Sequence, residues 1–337
     1  MTIRVGLMGF GRIGRNLFRI LLDREDIDIA VISDIADHQG LEYLLRYDTI
    51  LGRFPYEISI KDNYLYTLGK QINMLSARDP GEVSWKDYDV DIVIDATARP
   101  RSRADLMKHI ENGAKKVVLC TMPQDEPDRT IVMGINQGTL KPSDQLIYNS
   151  SITTHCAAPI VGILDNAFGI ERLCMTTIHA YTNAQSLADV PADDLRSSRA
   201  AGENIIPVDT VAGPILEQLF PHLENKIDAL ALNVPVTNGS LVDMTIFTSK
   251  AVTVESINEV VRTSAADIYP DLIEYTTDPI VSSDVITSPY SCTFDSKGTQ
   301  VLGTNLLKTI SWFDNGWGYS HQAVDLIEHL SSSGALG

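Results

Sequence analysis

The chain has 337 residues, 44% hydrophobic and 21% charged, which fits a globular protein of about two domains. A formal charge of −17 repels phosphate polyanions and so argues against nucleic-acid partners, though not against a small phosphorylated ligand held by local groups. With no 18-residue apolar run, no signal peptide, and four cysteines (Cys120, Cys156, Cys174, Cys292) lacking any C-x-x-C pair, it is expected in the cytoplasm without a membrane span, metal site or disulfide framework.

Residues 3–8 form a short apolar run, and Gly9-Phe10-Gly11-Arg12-Ile13-Gly14 follows at once. Leu17, Phe18, Leu21 and Leu22 then recur at helical spacing, which predicts a helix over 15–22. A second strand is expected over 27–32, ending at Ser33-Asp34. Strand, glycine turn, helix and strand make the first unit of a parallel sheet. Further strands are expected at 91–95 and 116–119, with a helix near 102–112 between them. A strand at 146–148 leads to Asn149, and a helix runs from about 152 to 167. Beyond it, alternating stretches at 170–179, 228–236 and 240–248 predict a mostly antiparallel sheet, with a helix at 255–268 against it. The polar segment 183–203 lacks periodicity and reads as a long ordered loop, a kind that usually carries function. Tyr319, Val324, Leu326, Ile327 and Leu330 place an amphipathic helix over 318–331. The fold class is therefore α/β, a Rossmann-type doubly wound parallel sheet followed by an α+β domain.

Gly9, Gly11 and Gly14 fit G-x-G-x-x-G, and Asp34 lies 20 residues beyond Gly14. In such a turn the first glycine permits the bend, the second admits a pyrophosphate, and the third lets helix and strand pack closely. Amide groups at the helix start face the phosphates. Asp34 would accept hydrogen bonds from a ribose hydroxyl and repel a 2′-phosphate, which favours NAD over NADP. A glycine turn that binds nothing is the alternative.

Several runs in one order carry a wider resemblance. They are residues 9–15, Arg78-Asp79-Pro80, residues 132–136, residues 176–182, residues 204–207 and residues 311–320. Over nearly its whole length the chain resembles the phosphorylating glyceraldehyde-3-phosphate dehydrogenases. The likeness implies a Rossmann domain over 1–150 completed by a C-terminal helix at about 316–337, and a catalytic domain over 151–315. It also implies a homotetramer in which 183–203 reaches toward a neighbouring subunit. For NAD it implies Arg12 and Ile13 at the phosphate turn, Asp34 at the adenosine ribose and Arg78 at the adenine edge. Thr97 and Thr121 line the cofactor, and Asn315 holds the nicotinamide carboxamide. Ala98-Arg99-Pro100 replaces a glycine-led segment. Arg99, Arg101 and Arg103 mark either a solvated helix start or a partner site.

In that family a cysteine thiolate attacks the aldehyde, and the thioester left after hydride loss is then cleaved by phosphate. The resemblance places His179 at the partner histidine and Ile152 at the nucleophile, while His155 replaces an asparagine one turn along. A hydrocarbon side chain has no lone pair with which to attack a carbonyl. Cys156 lies about 6 Å deeper along the helix and reads as a packed core thiol. Family arginines of the anion sites align with Ser197 and Asn233, whereas the hydroxyls of Ser151, Thr153, Thr182 and Thr210 remain as substrate contacts. Each lost arginine should weaken a doubly charged substrate by about 1.5–3 kcal/mol. Three functions follow for a small-molecule, weakly anchored substrate. The first is an NAD-dependent oxidoreductase without a thioester, using His179, with or without His155, as acid–base. The second is a silent NAD-binding homologue with a regulatory role. The third is residual glyceraldehyde-3-phosphate oxidation.

Overall fold

A computed structural model describes residues 2–336, which fall into two compact units, one of residues up to Ser150 together with those from Ser320, the other Ser151–Tyr319. In the first unit a nine-stranded sheet runs Arg129–Thr130, Leu146–Tyr148, Lys116–Leu119, Ile92–Asp95, Ile3–Met8, Ile27–Ser33, Lys70–Leu75, Tyr64–Thr67, Ser59–Lys61. Pairing is parallel as far as Lys70–Leu75, and the last two pairings are antiparallel. Val5, Leu7, Val31, Ile32, Val93 and Val118 are wholly buried, as expected of parallel strands covered on both faces. The chain starts in the middle of this sheet and winds outward in both directions. The carboxyl ends of Ile3–Met8 and Ile92–Asp95 therefore flank the point where strand order reverses, which is where such sheets bind ligands.

The first helix spans Arg12–Leu22 and so begins earlier than the apolar spacing indicated, because Gly11 itself caps it. The expected strands at 116–119 and 146–148 are present at those bounds, and the last helix is Trp317–Ser332.

The second unit holds a seven-stranded sheet, Ile206–Val208, Ile227–Val234, Ile170–Ala180, Ser240–Thr248, Leu306–Phe313, Cys292–Leu302, Ile273–Thr276. Four of its pairings are antiparallel, which makes it mostly antiparallel as expected. Ile170–Ala180 and Ile227–Val234 pair in parallel, however. A parallel pair needs a long crossover, and residues 181–226 provide it. Residues 183–203 carry no helix or strand. That loop is tied internally, with Asp189 accepting from Ala200 N at 2.9 Å and Asp194 from Ser197 N at 3.0 Å.

The helix Ile152–Phe168 packs on this sheet and against the helices Ala212–Leu219 and Val254–Asp267. Its start is set by Ser151, an extended residue whose Oγ accepts from Thr154 N at 3.1 Å. Ser151→Ala should therefore cost about 1 kcal/mol. Scanning calorimetry should show a melting temperature lower by a few degrees, whereas an unchanged transition would mean that the hydroxyl does not cap the helix.

Candidate active site and cofactor pocket

The strand Ile3–Met8 ends in Gly9, whose φ of 95° lies in the left-handed region. A Cβ there would stand 2.7 Å from the Ala96 carbonyl, and one on Gly14 only 2.1 Å from Gly9 O. These glycines are demanded by close backbone packing. Gly11 differs, since a Cβ on it would meet nothing within 4 Å. The space over its backbone is open at a helix N-terminus, where a pyrophosphate is favoured. Asp34 is held against this turn, with Oδ2 accepting from Phe10 N at 2.6 Å and Oδ1 from Ala36 N at 2.8 Å. Each oxygen keeps acceptor capacity for a ribose hydroxyl. The residues present fit a dinucleotide.

Gly9, Asp34, Arg78 and Thr97 line one pocket together with Arg99 and Arg101. Thr97 is tethered by its N and Oγ1 to Asp95 Oδ1 at 3.0 and 2.6 Å. Ala98 keeps a φ of 55°, so the turn retains a glycine-like backbone without the glycine. Arg101 is 8% exposed, donates to Arg78 O at 2.8 Å and pairs with Asp79 at 3.1 Å. Arg103 pairs with Asp128. Two of the three clustered arginines are thus neutralised within the fold, and Arg99 is exposed and makes no ion pair among the described residues. Arg12, Ile13 and Thr121 are half-buried and lie outside the lining of this pocket.

In the second unit His179 stands near the end of Ile170–Ala180, in register with Asn233 on the neighbouring strand, so both side chains share one sheet face. The edge of Phe313 packs on its ring at 6.1 Å. His179 Nδ1 lies 2.6 Å from Ala180 O, and its Nε2 lies 3.2 Å from Asn315 Nδ2. Burial pushes the His179 pKa below the usual 6.5, partly opposed by the Ala180 carbonyl, so the ring is neutral at pH 7. Asn315 is held in turn, its N donating to Asn238 Oδ1 at 2.8 Å and its Oδ1 accepting from Ser240 Oγ at 2.9 Å. Ser240 and Asn238 form no part of the motifs singled out in the sequence. Their signal was a polar residue on the core face of an alternating strand, since Ser240 is buried in line with Val242, Met244 and Ile246.

Ile152 is the first residue of its helix and is half-buried, while Thr153 and His155 are buried. His155 packs edge-on against Tyr319 at 6.2 Å, so the two histidines have different aromatic neighbours. Cys156 is 0% exposed, and burial together with the adjacent Cys292 thiol pushes its pKa well up. It is a core thiol without thiolate character. Thr182 Oγ1 donates to Gln185 Oε1, and Thr210 Oγ1 accepts from Ala212 N. Ser197 Oγ donates to Asp194 at 2.6 Å, and nearby Arg199 is paired with Asp189 at 3.2 Å.

The family profile described as "Glyceraldehyde 3-phosphate dehydrogenase, NAD binding domain" matches residues 3–103, and its "C-terminal domain" counterpart matches residues 151–315. The chain belongs to the glyceraldehyde-3-phosphate dehydrogenase family. It is 45% identical over 328 residues to glyceraldehyde-3-phosphate dehydrogenase 2 of Streptomyces avermitilis, covering 97% of this chain and 98% of that one. It is 46% identical to the Streptomyces coelicolor enzyme over 97% of this chain and 98% of that one. With the Geobacillus stearothermophilus enzyme it shares 42% identity over 99% of this chain and 100% of that one. NAD is accordingly the cofactor of this family member, as the acidic residue after the second strand indicated. Among the described residues no helix is long and apolar enough to cross a membrane, and no group of side chains could hold a metal ion.

The glycines make separable predictions. Gly11→Ala should lower the melting temperature only by the small cost of a poorer helix cap but weaken NAD binding more than tenfold, about 1.4 kcal/mol or more, by filling the open space. Gly14→Ala should instead lower stability. Calorimetric NAD titration and thermal melts check both, and unaltered affinity in Gly11→Ala would remove the pyrophosphate assignment.

Proposed function

We propose that this family member is an NAD-dependent oxidoreductase that works without a thioester, on a substrate less anionic than a triose phosphate. The observation that carries the reading is the helix start at residue 152, where the resemblance places the nucleophile and this chain places an isoleucine. Cys156 cannot take its place, because it is buried and its thiol is held protonated. His179 remains as a neutral base. Its Nδ1–H donates to Ala180 O, and its Nε2 lone pair, which accepts from Asn315 Nδ2 at 3.2 Å before substrate enters, receives the proton once the substrate hydroxyl displaces that amide.

When bound, NAD supplies the hydride acceptor. His179 Nε2 takes the hydroxyl proton of an alcohol or hydrated aldehyde as the C–H pair leaves as hydride, so the carbon is oxidised by two electrons and no covalent enzyme adduct forms. Neutral groups suit a weakly charged substrate, since Ser197 and Asn233 stand where the resemblance expects arginines, and Arg199 is already paired with Asp189. Ser151, Thr153, Thr182 and Thr210 supply hydroxyls only, which lack the charge-assisted strength of arginine toward phosphate. His155, buried against Tyr319, has a packing role in this reading. We also infer a homotetramer, supported by the ordered 183–203 loop on which Leu187 and Leu195 are 81% and 82% exposed. Four free thiols suit a cytoplasmic, reducing setting.

The reading is tested by following NADH absorbance with a panel of small alcohols and aldehydes. His179→Ala should lower kcat at least a hundredfold while leaving NAD affinity intact, and turnover insensitive to that change would overturn the role. The acid limb of the pH–rate profile should fall only below pH 6.5, because the lowered pKa keeps His179 deprotonated above it. In unfolding, the same shift has one sign. The unfolded histidine binds a proton first as pH drops through 6.5, so stability declines with acidification from that point.

A further inference from the structure

Ala180 both begins and ends a closed circuit of hydrogen bonds. Its N–H donates to Ser240 Oγ at 2.9 Å, and Ser240 Oγ donates to Asn315 Oδ1 at 2.9 Å. Asn315 Nδ2 lies 3.2 Å from His179 Nε2, and His179 Nδ1 lies 2.6 Å from Ala180 O. The polarity of every link is determined by the peptide groups. A backbone N–H can only donate, so the Ser240 oxygen accepts there and spends its single proton on Asn315. The Asn315 oxygen therefore faces Ser240 and its NH2 faces His179. An amide NH2 can only donate, so His179 Nε2 must carry a lone pair and the ring proton must sit on Nδ1. Nδ1–H then meets the Ala180 carbonyl, which can only accept. All links agree.

We propose that Ser240 is a positioning residue that keeps His179 Nε2 unprotonated through the orientation of the Asn315 amide. Ser240 is 1% exposed and is the first residue of the strand Ser240–Thr248, outside every motif of the site. Without its hydroxyl only the imidazole lone pair opposes a flip of the amide. A flipped amide presents Oδ1 to Nε2, and because the Ala180 carbonyl keeps a proton on Nδ1, an oxygen there stabilises the imidazolium, whose Nε2–H fills the position where a substrate proton must land. The flip therefore raises the titration midpoint of His179 and lowers the fraction of neutral base near pH 7. The Asn238 side chain accepts from the Asn315 backbone N–H, whereas Ser240 donates to the Asn315 amide oxygen and so opposes its flip.

This inference rests on His179 being the proton acceptor of the proposed reaction, but its test does not need turnover. Ring nitrogens of selectively 15N-labelled histidine distinguish an Nδ1–H from an Nε2–H tautomer, with His179→Gln assigning the signal. The full-length protein should show Nδ1–H, Ser240→Ala should raise the titration midpoint of His179, and Ser240→Thr should restore it. Where turnover is measurable, Ser240→Ala should lower kcat about tenfold with the KM of the alcohol or aldehyde unchanged. If Ser240→Ala fails to fold, Ser240→Cys, which keeps the volume but weakens the bond, should give the same shift in smaller measure. A titration midpoint unmoved in the folded Ala or Cys variant overturns the proposal. An absence of turnover in all variants, with the titration shift present, would instead remove the catalytic reading and leave the positioning role standing.

Discussion

The second unit places its chemistry at the end of one strand, where Ala180 offers an N–H to Ser240 and a carbonyl to His179. Those two groups have fixed polarity, and everything between them inherits it. His179 is consequently a neutral ring with a lone pair at Nε2 rather than a half-protonated surface imidazole. Burial reinforces this by disfavouring the charged form. The same sheet face carries Asn233 and the edge of Phe313, so a polar cluster is embedded in an apolar wall. Buried polar groups are stable only when fully satisfied, and the circuit meets that condition without a charged partner.

The first unit is organised by a different constraint. Backbone approaches at Gly9 and Gly14 leave no room for side chains, whereas Gly11 opens onto space. That contrast separates a structural from a ligand-facing glycine more sharply than the motif does. Asp34 is fixed by two backbone donors before any ribose arrives, which lowers the ordering cost of binding. The cofactor half of the molecule thus has a turn that fits a dinucleotide, while the proposed change in chemistry is confined to the helix start at Ile152 and the neutral residues around it.

Much of this was readable from residues. The strand–glycine–helix unit showed because parallel strands are apolar throughout and the turn has rigid demands. The helix from 152 showed because Ser151 caps a long apolar run. The edge hairpin Ser59–Lys61 with Tyr64–Thr67 was missed, although Asp62 and Asn63, at φ of 52° and 63°, form the left-handed turn that such dipeptides favour. Strands Cys292–Leu302 and Leu306–Phe313 were also missed, because the first carries buried Thr293, Asp295, Ser296 and Thr299, which blur alternation. The parallel pairing of Ile170–Ala180 with Ile227–Val234 depends on a long crossover whose path is not local. Ser240 and Asn315 are 75 residues apart, and no spacing rule joins them. Arg101 and Arg103 looked like a basic cluster, but their partners Asp79 and Asp128 come from distant segments.

This chain binds NAD and, on the proposed reading, cannot hold an acyl group at its helix start. Rapid-quench intact-mass spectrometry of the protein mixed with NAD and glyceraldehyde 3-phosphate tests it most directly. The account predicts an unmodified polypeptide mass at every time point, with NAD bound at one per chain. A transient acyl adduct that disappears on adding phosphate would contradict it.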